Sequence, residues 1–504
     1  MRPFGNGAGR ICGVAAAATA LELRVLLRQA LRYTRTVELR LDWLRSDQER
    51  EKFLSWLKGS RPKGPVLVAT CRRRIAGGEF AGDAGAELYW LMKAAQAGFQ
   101  WCDLEVETLR ELPGKSVKGY AIPPKVMLSM HDFRRTPKLP GRLSVTSHGG
   151  VDAIKMAAMS RTIGDSVRML KVLRHSRQVI AVPMGEIGLP ARLLALREGS
   201  ALAYAPVAAV TAPGQVLLRD FKELYRAHKI ARKTRVYGVI GNPIGHSMSP
   251  LLHNTGYVAA KKDAVLLPFL VEHLEDFLNA ARDLGVAGFG VTVPHKEAVF
   301  RRLDDCEALA QRIGAVNTVT VRRDGSLYGN NTDYLGVLRA LERKLRLRGS
   351  RVLIFGAGGS ARAAAFALAH AGAEVFVCAR REAAARALAH AVGGQAVRRG
   401  VLSKEHFDAI LNATPVGMHE QAGISPLRAG ELHCSVVMDF IYSPVRTKLL
   451  QIAAAKGIRT VSGVEMFLAQ GIAQWELWME SRAPEAAMRR AVLRALQVSK
   501  QKRW

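Results

Sequence analysis

The stretch Arg351–Arg381, RVLIFGAGGSARAAAFALAHAGAEVFVCARR, constrains the fold more than any other, because it dictates backbone, ligand and charge together. Val352–Phe355 is a short apolar run of the kind a buried parallel strand needs. Gly356-Ala357-Gly358-Gly359-Ser360-Ala361 follows at once. Gly356 permits a tight turn, Gly358 lets backbone amides approach a pyrophosphate, and Ala361 keeps the next helix close to the sheet, so phosphates sit on that helix's N-terminus. The helix, Ala361–His370, stops at Ala371-Gly372. A second strand, Val375–Cys378, ends at Ala379-Arg380-Arg381, where a NAD site places an acidic residue for the ribose hydroxyl. Two guanidiniums there suit a 2′-phosphate, so the expected cofactor is NADP(H). Glu382 leaves a NAD ribose contact open. A lone glycine pattern marks turns in many α/β proteins; here strands, helix and arginine pair agree on dinucleotide binding.

A chain of 504 residues is too long for one core and implies about three domains. No apolar run approaches the ~20 residues of a membrane span. Ile11–Leu21, after Arg2 and Arg10, faintly imitates a secretory signal, but it is short and alanine-rich and reads as a first strand. The six cysteines form no CxxC pair and lie near no His cluster, which excludes a zinc site or disulfide framework and fits a reducing cytoplasm. The net charge of +31 is spread along the chain instead of forming one basic block with interleaved aromatics. That distribution suits anionic small-molecule substrates, with no nucleic-acid or membrane partner; an RNA-binding protein is the rival reading. Oligomeric state is not legible.

From Arg10 to Arg226 apolar runs recur between helical stretches, at Ile11–Val14, Val37–Leu41, Val66–Thr70, Trp101–Val106, Val126–Met130, Val151–Met156, Val179–Met184 and Leu202–Ala205. Eight such βα units point to a closed (β/α)8 barrel, in which strand C-terminal ends carry the chemistry. Those ends hold Glu38, Arg40, Asp42, Arg72, His131 and Lys155, with Arg192 after a further strand. Lys155 lies inside an apolar strand segment, so it must be paired, exposed on a rim, or depressed in pKa. Depression is what an imine-forming amine needs.

VELRLD, GGEF, SMHDF, DAIKM and TAPGQV, in that order, resemble type I 3-dehydroquinate dehydratase over nearly all of residues 10 to 226. The resemblance implies that Lys155 forms a Schiff base with the substrate ketone and that His131 shuttles protons. It also implies that Glu38, Arg40, Arg72, Glu79, Arg192, Thr211 and Gln215 hold substrate, Arg192 through its carboxylate. Thr211 stands where the family usually has serine, and Ala191 where a serine usually precedes the arginine.

Lys229–Arg235 reads as a basic connector before a new strand at Val236–Ile240. The loop Gly241–Asn254, with Ser247 and Ser249 near a helix start, suits a carboxylate. VTVPHK at 291–296, GAVNT at 314–318, NNTD at 330–333 and NATPVGM at 412–418 follow. Together with the dinucleotide motif they resemble shikimate dehydrogenase from 236 to about 490. The resemblance implies a carboxylate grip from Ser247 and Ser249, hydroxyl contacts from Thr292, Asn317 and Gln470, and a Lys296–Asp333 pair at the reacting oxygen. Tyr442 and Gly463 would line the cleft near the nicotinamide. Gly356, Ala357, Gly358, Gly359, Ser360, Arg380, Arg381 and Thr414 would hold the cofactor. Gly290 and Ala379 replace the family's usual asparagines. Quinate in place of shikimate, and NAD in place of NADP, define the rival enzyme.

The expected architecture is thus α/β throughout: a (β/α)8 barrel over 10–230, a substrate-binding domain over 235–340 completed by helices at 465–500, and a Rossmann NADP domain over 345–464.

Overall fold

The computed structural model describes residues 4, 7–60, 62–139, 143, 150–176, 178–208, 214–418 and 421–501. The chain divides into two compact units, 1–235 with 263–285, and 236–262 with 286–504.

In the first unit eight strands form one parallel sheet: β1 (Ile11–Ala16), β2 (Thr36–Arg40), β3 (Val66–Thr70), β4 (Trp101–Glu105), β5 (Lys125–Asp132), β6 (Ala153–Met159), β7 (Val179–Met184) and β8 (Ala203–Pro206). Neighbours follow chain order from β1 to β7, and β8 pairs with β1. Ala201 N–H donates to the Val179 carbonyl at 2.9 Å, which brings the β7 and β8 edges together into a nearly closed barrel. The strands read as almost unbroken apolar runs because both faces are covered, one by helices and the other by barrel contents. Among the described residues an α-helix follows each strand except β5. Ala20–Ala30 and Ile163–Leu173 each open on a reciprocal capping box, Thr19 with Glu22 and Thr162 with Asp165. All eight expected strands are present, each within three residues of its expected ends. The segment grouped with this unit from 263 to 285 adds β10 (Ala264–Leu270) and the amphipathic helix Leu274–Leu284.

The second unit holds two sheets. In one, β9 (Arg235–Gly241), β11 (Val286–Val291), β13 (Thr318–Val321), β14 (Leu327–Asn330) and β12 (Asp305–Cys306) lie in that order, mixing parallel and antiparallel pairs. The other is wholly parallel, in the order β17 (Gln395–Ala396), β16 (Glu374–Cys378), β15 (Arg351–Phe355), β18 (Phe407–Asn412), β19 (Cys434–Asp439), β20 (Arg459–Val461). Strand order reverses direction at β15, so a crevice opens between the loops that follow β15 and β18. Helix Gly359–His370 covers this sheet with Ala361, Ala364, Ala365 and Leu368, packed against Val352, Ile354 and Val377. The helix begins at Gly359, two residues before its expected start. Among the described residues no helix is long and apolar enough to cross a membrane.

Candidate functional sites

Side chains two apart on a strand share a face, and the barrel uses this to assemble a buried charge cluster. Asp103 and Glu105 come from β4, Ser129 and His131 from β5, Lys155 from β6 and Glu38 from β2. Lys155 is fully enclosed. Its ammonium donates to Asp103, lies 3.5 Å from Glu38 Oε2, and sits 4.7 Å from the centre of the Tyr204 ring. Asp103 also accepts from the Ser129 hydroxyl and, at 3.1 Å, from Arg72. Arg72 Nε donates to Glu105 Oε1 at 2.7 Å, and the other Glu105 oxygen lies 2.9 Å from His131 Nδ1. A continuous chain therefore links Lys155, Asp103, Arg72, Glu105 and His131.

Electrostatics distinguish among the three fates left open for Lys155. Burial does pull the Lys155 amine down, but Asp103 and Glu38 outweigh it and the net shift is upward. Of the three fates open to a strand lysine, this one is paired and not depressed. Burial opposes ionisation of Asp103, yet Lys155 and Arg72 hold it well below the usual carboxylate range. Burial pushes Glu105 up to about 7 against the pull of Arg72. Burial, then Arg72 and Lys155, drive His131 well below its ordinary value, so it is a neutral imidazole. An ionised Glu105 accepts from Nδ1–H, which leaves Nε2 bare to take a proton.

Other expected barrel residues lie around this cluster without joining it. Arg40 is clamped by both oxygens of Asp42, at 2.9 and 2.7 Å. Glu79 reaches the same carboxylate through its backbone N–H at 3.2 Å, while its own carboxylate is exposed. Arg192 sits in helix Leu189–Glu198 and donates to the carbonyls of Gly185 and Gly214. Burial alone pushes it down to about 10, because no acid among the described residues pairs with it. Gln215 directly follows Gly214, and Thr211 lies outside the described residues. Asp103, Glu105 and Tyr204 were not anticipated. For Asp103 and Glu105 the signal was present in WCDLE, two carboxylates spaced by two within an otherwise apolar run.

In the second unit a cavity of about 170 Å³ is lined by Ser247, Ser249, Thr292, Lys296, Asn317, Asp333, Ser360, Tyr442, Gly463 and Gln470, ten of the expected residues together. Lys296 opens helix Lys296–Phe300, and Asp333 opens helix Asp333–Glu342. The Lys296 ammonium donates to Asp333 Oδ2 and approaches Ser360 Oγ at 3.5 Å. Asn317 Nδ2 donates to the other Asp333 oxygen at 2.8 Å and lies 3.5 Å from Gln470 Oε1. Ser249 N–H donates to the Ser247 hydroxyl at 3.3 Å, and the Tyr442 ring packs tilted against Phe467 with ring centres 4.8 Å apart. Gln474 also lines the cavity and was not anticipated.

The neighbouring crevice fits a dinucleotide. Gly356 has φ +128°, and a Cβ there would meet the Ala413 carbonyl at 3.0 Å, so only glycine is accommodated. A Cβ on Gly358 meets nothing within 4 Å, which marks open space where phosphates approach the helix beginning at Gly359. Ala357 continues this turn, and Thr414 across it is fixed by hydrogen bonds to Asn412 Oδ1 at 3.0 and 2.7 Å. A Cβ on Gly463 would strike the Ile441 backbone at 2.5 Å, so the helix starts tight against the cleft wall. Arg380 and Arg381 are exposed at the end of β16. Glu382 pairs at the surface with Arg386 at 3.2 Å and Arg398 at 3.8 Å.

The family model for type I 3-dehydroquinase matches residues 11–232. Those for the shikimate dehydrogenase substrate binding domain and the shikimate 5′-dehydrogenase C-terminal domain match 239–319 and 463–493. The bifunctional 3-dehydroquinate dehydratase/shikimate dehydrogenase, chloroplastic, of Arabidopsis thaliana is 33% identical over 479 residues, 89% of this chain and 78% of that protein. The shikimate dehydrogenase (NADP(+)) of Methanothermobacter thermautotrophicus is 41% identical over 282 residues, 53% of this chain and 99% of that protein. Among solved structures, a shikimate dehydrogenase in complex with NADP+ is similar with a TM-score of 0.50 and 34% identity, over 53% of this chain and 97% of that one. The chain belongs to the family of bifunctional 3-dehydroquinate dehydratases/shikimate dehydrogenases.

Proposed function

We propose that the two sites act in succession on one carbon ring, Lys155 and His131 dehydrating 3-dehydroquinate and Lys296 and Asp333 assisting reduction of the resulting 3-dehydroshikimate to shikimate. The observation that carries this reading is a lysine–carboxylate pair in each unit, the first enclosed beside a neutral histidine and the second part-buried beside a dinucleotide crevice.

In the barrel Lys155 passes a proton to His131 Nε2, the freed amine adds to the substrate ketone, and His131 returns the proton as the carbinolamine loses water, forming an iminium adjacent to the acidic carbon. His131 Nε2 takes the C2 proton while its Nδ1–H stays on Glu105; the electron pair moves into the iminium, and the leaving hydroxyl departs with a proton returned by His131. Asp103 and Glu38 stabilise the cationic nitrogen throughout. Arg192, buried without an acid, suits the substrate carboxylate, because a guanidinium offers two parallel donors. Arg40, Arg72, Glu79, Thr211 and Gln215 are assigned to the ring substituents.

In the second unit Ser247 and Ser249 take the carboxylate, and Thr292, Asn317, Gln470 and Tyr442 take ring hydroxyls. When bound, NADPH supplies the reducing equivalent to the ketone carbon. Gly356–Ser360, Thr414 and Gly463 would hold it, with Arg380 and Arg381 on the 2′-phosphate. Lys296 donates a proton to the developing alkoxide, and Asp333 orients Lys296 and binds the same hydroxyl. The domains are assigned as 10–230, 235–340 with 465–500, and 345–464. Six free thiols support a reducing compartment, assigned as the cytoplasm.

Borohydride reduction in the presence of 3-dehydroquinate tests the first half: a mass increase on the Lys155 peptide is expected. Stable labelling of any other residue, or none, overturns the imine route.

A further inference from the structure

His253 is a titratable group with no part in the mechanism above. It lies in helix Ser249–Ala259, fully enclosed, with its ring 5.3 Å from that of Trp478 and 6.3 Å from that of Tyr257. Its Nε2 is 3.3 Å from Gln474 Oε1, and its Nδ1 is buried without a hydrogen-bond partner.

The direction of each hydrogen bond between His253 and Asp333 is fixed by backbone groups whose roles do not change. Gln474 lies 3.1 Å from the Asn317 carbonyl, which only accepts, so its NH2 is on that side and its oxygen faces His253. Asn317 Oδ1 accepts from the Thr332 backbone N–H at 2.7 Å, which only donates, so the Asn317 NH2 faces Asp333. Between these two pinned amides, Gln474 Nε2 donates to Thr318 Oγ1 at 3.1 Å, and Thr318 donates to Asn317 Oδ1 at 2.8 Å. Asn317 Nδ2 then donates to Asp333 Oδ1 at 2.8 Å, leaving Oδ2 for Lys296. Every step runs one way. The Gln474 oxygen needs a donor at its far end, and His253 Nε2–H is what the fold places there.

We infer that His253 is a positioning residue for the reduction, a neutral imidazole held in its Nε2–H tautomer that starts a one-way hydrogen-bond chain ending on the Asp333 carboxylate. A protonated ring would bury a second N–H with no acceptor, so the site admits only the neutral form. Burial accordingly pushes His253 down to about 4, the Gln474 bond pulling weakly the other way. Without the donor, the enclosed Gln474 oxygen is unsatisfied; the amide gains by turning, and the grip on Asn317 and Asp333 loosens.

The inference rests on Lys296–Asp333 being the reacting pair, and its first test is independent of that assignment. Nitrogen-15 correlation spectra of the full chain, compared with His253→Gln to assign the ring, should show His253 as the Nε2–H tautomer at pH 7. An Nδ1–H tautomer or an imidazolium overturns the chain whatever the activity. Next, His253→Leu should lower kcat for shikimate oxidation about tenfold, the effect of one unsatisfied buried group, with KM for NADP unchanged as the check that the second unit is folded. His253→Gln, which restores an N–H, should recover to within about threefold. Equal loss in both variants, or no loss in His253→Leu, overturns the positioning role. Failure of the underlying assignment reads differently, as shikimate oxidation surviving Lys296→Ala.

Discussion

Replacing Asp103 with asparagine tests whether the barrel cluster is held as a charge pair. Asp103 accepts from Lys155, Ser129 and Arg72 in a fully enclosed position. Asparagine keeps the volume and one acceptor but removes the charge. Arg72 retains Glu105 at 2.7 Å, so its loss is partial. Lys155 retains only Glu38, at 3.5 Å, against full desolvation. Breaking a buried pair from one side costs about 3–5 kcal/mol. The remaining Glu38 contact places Asp103→Asn near the lower end, at about 3 kcal/mol. A double-mutant cycle with Lys155→Met should give a coupling of about 2 kcal/mol between the two positions, because each substitution alone takes from the other group its charged partner. Hydrogen exchange of peptides from β4 and β6, in the parent, both single variants and the double, measures the barrel separately from the second unit. Protection in Asp103→Asn within about 0.5 kcal/mol of the parent would refute the pairing argument. So would strictly additive effects of the two substitutions.

Lys155→Ala should abolish dehydration and leave shikimate oxidation intact; parallel loss of both activities in folded protein would show that the sites are not independent. Arg380→Ala should raise KM for NADP far more than for NAD, and an equal effect in the two titrations would remove the 2′-phosphate assignment. His253 should make the second unit acid-sensitive. Its folded pKa of about 4 lies below the ordinary value of about 6.5, so over that interval the unfolded chain binds more protons, and stability falls as pH drops from about 6.5 towards 4. The full loss is about 3 kcal/mol. Hydrogen exchange at pH 7 and 4.5 should show this in the parent and a flatter response in His253→Gln; identical slopes would contradict it.

The barrel was legible because each strand is a continuous apolar run bounded by turn residues, so neither period nor length was in question. The second cleft was legible because most of its polar residues sit in short motifs at strand ends, where a pattern marks position. Four things were not. Lys155 was visible as an anomaly in an apolar strand, but its partner Asp103 is two strands away, and sequence spacing carries no information about which strands adjoin. Asp103 and Glu105 were visible in WCDLE, yet their burial follows only from barrel closure. The grouping of 263–285 with the first unit left no compositional trace, since β10 and its helix look like any βα pair. The direction of the His253 chain depends on two backbone groups at 317 and 332, and only coordinates reveal that they pin it.

Supplying 3-dehydroquinate and NADPH together to the intact chain is the most direct test of the whole account. Shikimate should appear with one NADPH oxidised for each 3-dehydroquinate consumed. Unchanged 3-dehydroquinate, or 3-dehydroshikimate accumulating while NADPH stays constant, would contradict it.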